Sequence, residues 1–212
     1  ENAQDNYDKK ICLFSQKELE QENPGKEDIY PVGTLCEVRH IRRFDNFLRV
    51  KFRGIKRVKL NNWINGSLSD LAEVEILESE KQDAVEEEAL IRMIADELDR
   101  MQGQDRFVTK EIVMEISKGM GGEFLSDKAV QGLPLDIERK QQYLETLGVN
   151  DRLMMLLQDM AKEKKMSEVE QQINETVKER IDQGQKDYYL REKMNVIREE
   201  LGDTVAQDED AA

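Results

Sequence analysis

The 212-residue chain has two cysteines, one histidine, three prolines and one tryptophan, and aromatic residues make up 6 % of it. Two thiols and one imidazole fall short of the four ligands of a structural zinc site. Cys12 and Cys36 each lie in an apolar, strand-like run, which reads as a pair of reduced structural thiols rather than a disulfide. Catalysis by a nucleophile needs a base that can meet it, and the lone His40 sits beside Arg39, Arg42 and Arg43, where it reads as a surface or packing residue. Ser117 and Lys118 are adjacent, so on a helix their side chains diverge by about 100° and form no dyad. Gly119-Met120-Gly121-Gly122 lacks the lysine and hydroxyl of a phosphate-cradling loop. The expectation is therefore a chain with no catalytic, metal or cofactor residues of its own.

Long hydrophobic runs are also missing. No stretch nears the roughly 20 apolar residues that cross a bilayer, and the opening Glu-Asn-Ala-Gln-Asp-Asn-Tyr-Asp has neither the basic nor the apolar part of a signal peptide. These features predict an intracellular protein with no membrane partner.

Charge is what the chain has in quantity. Charged residues are 37 % of the total, against about 25 % in an average globular protein. The 32 Lys and Arg against 46 Asp and Glu give −14 at pH 7, which argues against a dedicated nucleic-acid binder, because that affinity comes mainly from cations displacing counterions. One segment departs from this balance. Between Arg39 and Lys59 there are nine basic residues and one acid, Asp45, a local +8 that leaves −22 for the rest. Arg49, Lys51, Arg53, Arg57 and Lys59 fall at every second position apart from Ile55, which places Arg49, Lys51 and Arg53 on one sheet face. They read either as a solvated face offsetting the acidic helices or as a docking face for anions, with DNA or polyphosphate as the sharper version.

The first eighty residues carry strand signals. Ile11-Cys12-Leu13-Phe14 is a short apolar run, and Asn23-Pro24-Gly25 marks a turn. Over 48–60 the even positions Leu48, Val50, Phe52, Val58 and Leu60 are apolar, a period of two broken by Gly54 and Lys56. That break predicts a bulge or bend near Gly54 that divides the run into two strands. Residues 34–43 are expected to pair with 48–53 through a hairpin at Asp45-Asn46, and 71–77 to form a further strand.

Beyond Glu78 the period becomes helical. Ala84, Val85, Ala89, Leu90, Met93, Ile94 and Leu98 recur at three and four residues up to a stop at Gly103, with glutamates gathered in the first turns. Ile112, Val113 and Ile116 predict a second helix closed by the glycine cluster, and Phe124 to Val130 a third. Asp136 is a candidate cap for a fourth that runs to Leu147 and stops at Gly148. From Asn150, read as an N-cap, to Leu201 there is no proline and one glycine, Gly184, so a single helix of roughly 75 Å is expected at 1.5 Å per residue. Val169, Ile173, Val177 and Ile181 form a narrow apolar stripe on a charged rod, which suits a partner helix or another subunit. Tyr188, Tyr189 and Met194 read either as packing against a neighbouring subunit or as an adaptable apolar surface for unfolded polypeptide. Gly202 ends the rod, and the acidic tail 203–212 is expected to be disordered.

The block Gln185-Lys186-Asp187-Tyr188-Tyr189-Leu190-Arg191-Glu192-Lys193-Met194-Asn195-Val196-Ile197-Arg198-Glu199-Glu200-Leu201-Gly202 closely resembles the segment that leads into the ATPase module of Lon-type ATP-dependent serine proteases. Lys9-Lys10-Ile11-Cys12-Leu13-Phe14, Pro24-Gly25, Val32-Gly33-Thr34 and Arg53-Gly54-Ile55-Lys56-Arg57 resemble the β-rich start of that family, and Gly132-Leu133-Pro134-Leu135 its helical bundle. The chain differs from the family in lacking an apolar strand and short helix before Lys9, which predicts a missing strand or an exposed sheet edge.

With the strand and helix periods above, the resemblance implies an α+β fold: a small β-rich, pseudo-barrel or sandwich-like domain over 1–80, a helical bundle over 81–148, a long exit helix over 149–202 and the tail. It also implies recognition of unfolded or misfolded protein and support of a homo-hexamer, in the bacterial cytoplasm or alternatively the mitochondrial matrix. ATP, magnesium and the serine-lysine dyad belong, on that resemblance, to modules of the parent enzyme, and this chain alone should hydrolyse nothing. The competing expectation is a stand-alone nucleic-acid or polyanion-binding β-domain with a dimerising helix. A purely structural coiled coil is disfavoured by the heptad drift and by the strands ahead of the rod.

Overall fold

The computed structural model describes residues 7–64, 66, 70–101, 114–116 and 118–200, and the chain divides into two compact units, Glu1–Ala161 and Lys162–Ala212. The first unit opens with a four-stranded antiparallel sheet of β1 (Lys10–Leu13), β2 (Val32–Arg43), β3 (Leu48–Ile64) and β4 (Leu71–Leu77), in that spatial order. Four longer helices follow, α1 (Ala84–Met101), α2 (Gly122–Gly132), α3 (Ile137–Glu145) and α4 (Val149–Glu200), with a helical turn at 114–116. This is the expected α+β class. Gly103, Ile112, Val113, Ser117, Leu201, Gly202 and the tail 203–212 lie outside the described residues.

The β2–β3 hairpin forms as its alternation requires, with Arg43 opposite Leu48. The break near Gly54 does not divide the run, however. Cys36 pairs with Gly54 and Leu35 with Lys56, so Ile55 is an extra residue in one continuous strand. A bulge absorbs the parity change without ending the ladder. Two further irregularities, at Arg39 in β2 and Asn61 in β3, add local twist.

The helical core gathers Leu90, Ile94 and Leu98 from α1, Leu125 and Ala129 from α2, Tyr143 from α3, and Leu153, Leu156 and Met160 from the first turns of α4. The spacing at three and four in α1 is what aims its residues at one face. Residue 80, the boundary expected from the change of period, lies inside the first unit, and several contacts join the sheet to the helices there. Gln141 donates from Nε2 to the Val32 carbonyl at 2.9 Å, and Glu80 bridges in parallel to Gly148.

That bridge corrects two helix ends. The Glu80 N–H donates to Leu147 O at 2.8 Å and the Val149 N–H to Glu80 O at 3.2 Å, so Leu147 and Gly148 are extended. Helix α3 stops earlier, where the Thr146 N–H and Oγ1 both donate to Gln142 O at 2.9 and 2.7 Å. Asp136 does cap α3, accepting from the Arg139 N–H at 2.6 Å. Asn150 lies inside α4 and is not its N-cap. Its side-chain amide instead donates to Asp83 O at 3.0 Å and Glu86 Oε2 at 2.8 Å, tying the start of α4 to the start of α1.

In the second unit the described residues, 162–200, are helical throughout, and Gly184 interrupts nothing. No helix among the described residues is long and apolar enough to cross a membrane.

Candidate functional site

Beyond the ends of β1 and β4, strands β2 and β3 continue as a two-stranded ribbon. β1 pairs with β2 only over 34–37, and β4 pairs with β3 only over 57–64. Asp45 and Asn46 make the turn, closed by the Phe44 N–H donating to Phe47 O at 3.0 Å. The rings of Phe44 and Phe47 stack with centroids 4.6 Å apart at 16°, and the Arg49 guanidinium lies 5.7 Å from the Phe44 centroid. A stacked pair of this kind is worth about 0.5–1.5 kcal/mol beyond its area burial. Phe44 and Phe47 nonetheless remain 43 % and 55 % exposed, and Leu48, Phe52 and Ile55 are exposed as well.

Opposed residues of an antiparallel pair share a face. Arg42 lies opposite Arg49, His40 opposite Lys51 and Glu37 opposite Arg53, so one face of the ribbon is basic. Leu48, Val50 and Phe52 lie opposite Arg43, Ile41 and Val38, which makes the other face largely apolar. His40 is exposed and accepts from Arg42 Nε at 3.2 Å, a surface role. Glu37 is held by Arg39 at 3.0 Å, and Lys51 and Arg53 are exposed with no ion pair among the described residues.

The expected cationic set does not stay together. Arg57 lies opposite Thr34, an odd number of residues from Glu37 along an unbroken part of β2, so the bulge at Ile55 carries Arg57 and Lys59 to the face opposite Arg53. Arg57 is 7 % exposed. It is paired with Asp127 and lies 3.8 Å from Glu123, both on α2. Arg152, fully buried, lies 3.6 Å from the same Asp127 and donates to Ser79 Oγ at 3.0 Å. Burial, then the neighbouring Arg57, pulls the Arg152 guanidinium below its ordinary value. A buried guanidinium must keep its carboxylates or strand its charge, so Arg57 joins sheet to helices and is not open to an anion. Lys59 is exposed and lies opposite Glu75.

The candidate contacts on α4 belong to the second unit. Ile173, Val177 and Ile181 are about half exposed, and Tyr188, Tyr189 and Met194 are 70 %, 63 % and 53 % exposed. The four-residue spacing keeps Ile173, Val177 and Ile181 on one stripe. Sequence reasoning missed the Phe44–Phe47 pair, although aromatics on both sides of a two-residue turn are a legible signal. It also missed the clamp in which Tyr143 Oη and Arg139 Nε both donate to Asp159 Oδ2, at 2.8 and 2.7 Å.

Cys12 and Cys36 are free, and burial raises both thiols above their ordinary value. At the glycine cluster the Gly122 N–H donates to Glu87 Oε1 at 2.9 Å. That helix start already holds a carboxylate, has Glu123 beside it and lacks a lysine, so its residues do not fit a nucleotide phosphate.

Residues 1–162 match the ATP-dependent protease La (LON) substrate-binding domain. The Lon protease of Fervidobacterium nodosum is 34 % identical over 205 residues, covering 95 % of this chain and 25 % of that protein. The Lon protease of Escherichia coli strain K12 is 31 % identical over 198 residues, covering 93 % of this chain and 25 % of that protein. The chain thus spans about a quarter of the length of these relatives. The N-terminal domain of the Mycobacterium avium complex Lon protease has the same fold, with a TM-score of 0.53 at 19 % identity over 71 % of this chain and 77 % of that one. With the match extending over residues 1–162, more than half its length, the chain belongs to the LON substrate-binding domain family.

Proposed function

We propose that this chain captures unfolded or misfolded polypeptide for an ATP-dependent serine protease, and that α4 supports assembly of several copies, a hexamer in the full enzyme. The observation that carries the reading is the run of exposed apolar side chains along the β2–β3 ribbon, from Phe44, Phe47 and Leu48 at its turn to Phe52 and Ile55 at its base. Uncovered aromatic and aliphatic groups on an otherwise charged domain mark a surface for apolar partners. Unfolded chains differ from folded ones in offering such groups.

ATP hydrolysis with magnesium, and peptide cleavage, fall in this reading to other modules of the full-length enzyme. The part played here is recognition. Weak, distributed apolar contacts suit it, because a client must be released to be processed.

The test is capture of a permanently unfolded, carboxymethylated and fluorescein-labelled protein, followed by anisotropy. The unmutated chain is expected to bind it. The double variant Phe44→Ser, Phe47→Ser is expected to bind at least about tenfold more weakly, since each buried phenyl ring contributes about 1.5–3 kcal/mol. Equal binding by both proteins, each with an unchanged circular dichroism spectrum, would refute the reading.

A further inference from the structure

The ribbon has an unpaired backbone edge as well as two chemically distinct faces. β4 leaves β3 at the strand pair Arg57–Leu77, and Glu78, whose carboxylate forms an ion pair with the Lys56 ammonium, already belongs to the exit towards the helices. From 48 to 56 the side of β3 away from β2 has no strand partner among the described residues. Edges left open in this way are normally blunted. The bulge at Ile55 and the exposed Lys51 do some of that, yet Phe52 and Ile55 stay 38 % and 42 % exposed beside the open ladder.

The pattern along this edge selects a partner. Arg49, Lys51 and Arg53 point to one face, and Leu48, Val50 and Phe52 to the other. A second copy of β3 would set basic residues against basic residues, which cross-strand pairing penalises. A strand alternating acidic and apolar residues would instead meet a cation on one face and an apolar side chain on the other. The chain contains such a strand next to this edge. β4 reads Leu71-Ala72-Glu73-Val74-Glu75-Ile76-Leu77, and it pairs with the continuation of β3, with Glu75 opposite Lys59 and Val74 opposite Leu60.

We propose that the open edge of β3 over 48–56 takes up an extended polypeptide of alternating acidic and apolar residues, which adds to the sheet as a strand in line with β4. This rests on the reading of the chain as a binder of unfolded polypeptide and narrows it to one class of segment and one mode of contact. Main-chain hydrogen bonds give such an addition its affinity, and the alternate side chains give it selectivity. The requirement for an extended backbone with an unpaired edge disfavours folded proteins, whose interior strands are already paired and whose edges are normally blunted.

The probe is a short fluorescein-labelled peptide alternating glutamate with valine, titrated against the full chain at low and moderate salt. It is expected to bind at least about tenfold more tightly than three controls: the same composition in blocks, alternating lysine and valine, and the alternating acidic peptide methylated at every second amide nitrogen. The Arg49→Glu, Lys51→Glu variant should lose about tenfold in affinity, equivalent to about 1.4 kcal/mol. Hydrogen exchange of the unmutated chain reads the mode directly, with amides in 48–56 slowed when the peptide is bound. Equal binding of the block peptide, full binding of the methylated peptide, or unchanged exchange over 48–56 would each overturn the proposal. So would retention of duplex DNA by this face with no affinity for the acidic peptide. If the carboxymethylated protein is still captured while the alternating peptide shows no preference, this inference fails and the broader reading stands. Failure of both captures removes both.

Discussion

Asp159→Ala removes the acceptor shared by two donors where α3 meets the first turns of α4. Tyr143 is 3 % exposed and Asp159 9 %, and the phenol and the Arg139 Nε donate to the same carboxylate oxygen at 2.8 and 2.7 Å. Stranding the buried hydroxyl costs about 1–3 kcal/mol, and the charge-assisted bond is worth about 1.5–3 kcal/mol. Arg139 keeps 28 % of its side chain in solvent, so its part is taken at the low end, for a combined loss of about 3 kcal/mol. Tyr143→Phe leaves no stranded donor and should cost about 1 kcal/mol. The double variant should cost less than the sum of the two, with a coupling of about 1–2 kcal/mol, because the phenol is no longer there to be orphaned. In a unit of this size 1 kcal/mol moves the midpoint by roughly 2–4 °C, so Asp159→Ala should melt roughly 6–12 °C lower.

The clamp also has a signature in pH. Burial first, and then the bond to Asp159, raise the Tyr143 phenol above its ordinary value of 10.0. The folded state therefore holds that proton more tightly than the unfolded chain does. The corresponding stability is fully present below about pH 10 and is lost as the pH climbs beyond it. Urea titrations of the single and double variants, repeated between neutral pH and about pH 11, check both statements. Additive losses, or an Asp159→Ala loss below about 0.5 kcal/mol, would refute the argument. So would a fall in stability at high pH that Tyr143→Phe leaves untouched.

Tyr188→Ala with Tyr189→Ala should lower the self-association of the chain, measured by light scattering after size exclusion, if the exposed end of α4 serves assembly. An unchanged mass would remove that role. Gly33→Ala places a Cβ 2.4 Å from the Leu13 carbonyl oxygen and from the Phe14 ring, and should destabilise by roughly 1–3 kcal/mol as β1 and β2 are forced apart. Gly184→Ala meets nothing within 4 Å and should raise helicity and stabilise the second unit by up to about 1 kcal/mol, both changes being read by thermal melts.

Local periodicity made much of this protein legible in its sequence. The three- and four-residue spacing of Leu90, Met93, Ile94 and Leu98 predicts a helix that forms over the expected Ala84–Met101, and the alternation in 71–77 predicts β4 at its observed bounds. The turn at Asp45-Asn46 set the pairing of β2 with β3, and the absence of proline after Asn150 allowed α4 to run to Glu200. Each of these depends on neighbours a few residues apart.

What depended on partners far along the chain required the tertiary structure. A single extra residue at Ile55 reverses the side chains that follow it as far as the next irregularity at Asn61, so the same alternation leaves Arg49, Lys51 and Arg53 on one face and sends Arg57 to the carboxylates of α2. The end of α3 was fixed by Glu80, and the role of Asn150 by Asp83 and Glu86. The open edge of β3 follows from where β4 stops pairing. Period and propensity act within one segment. Register, burial of a charge and the vacancy beside a strand are properties of two or more segments brought together, and no single segment encodes them.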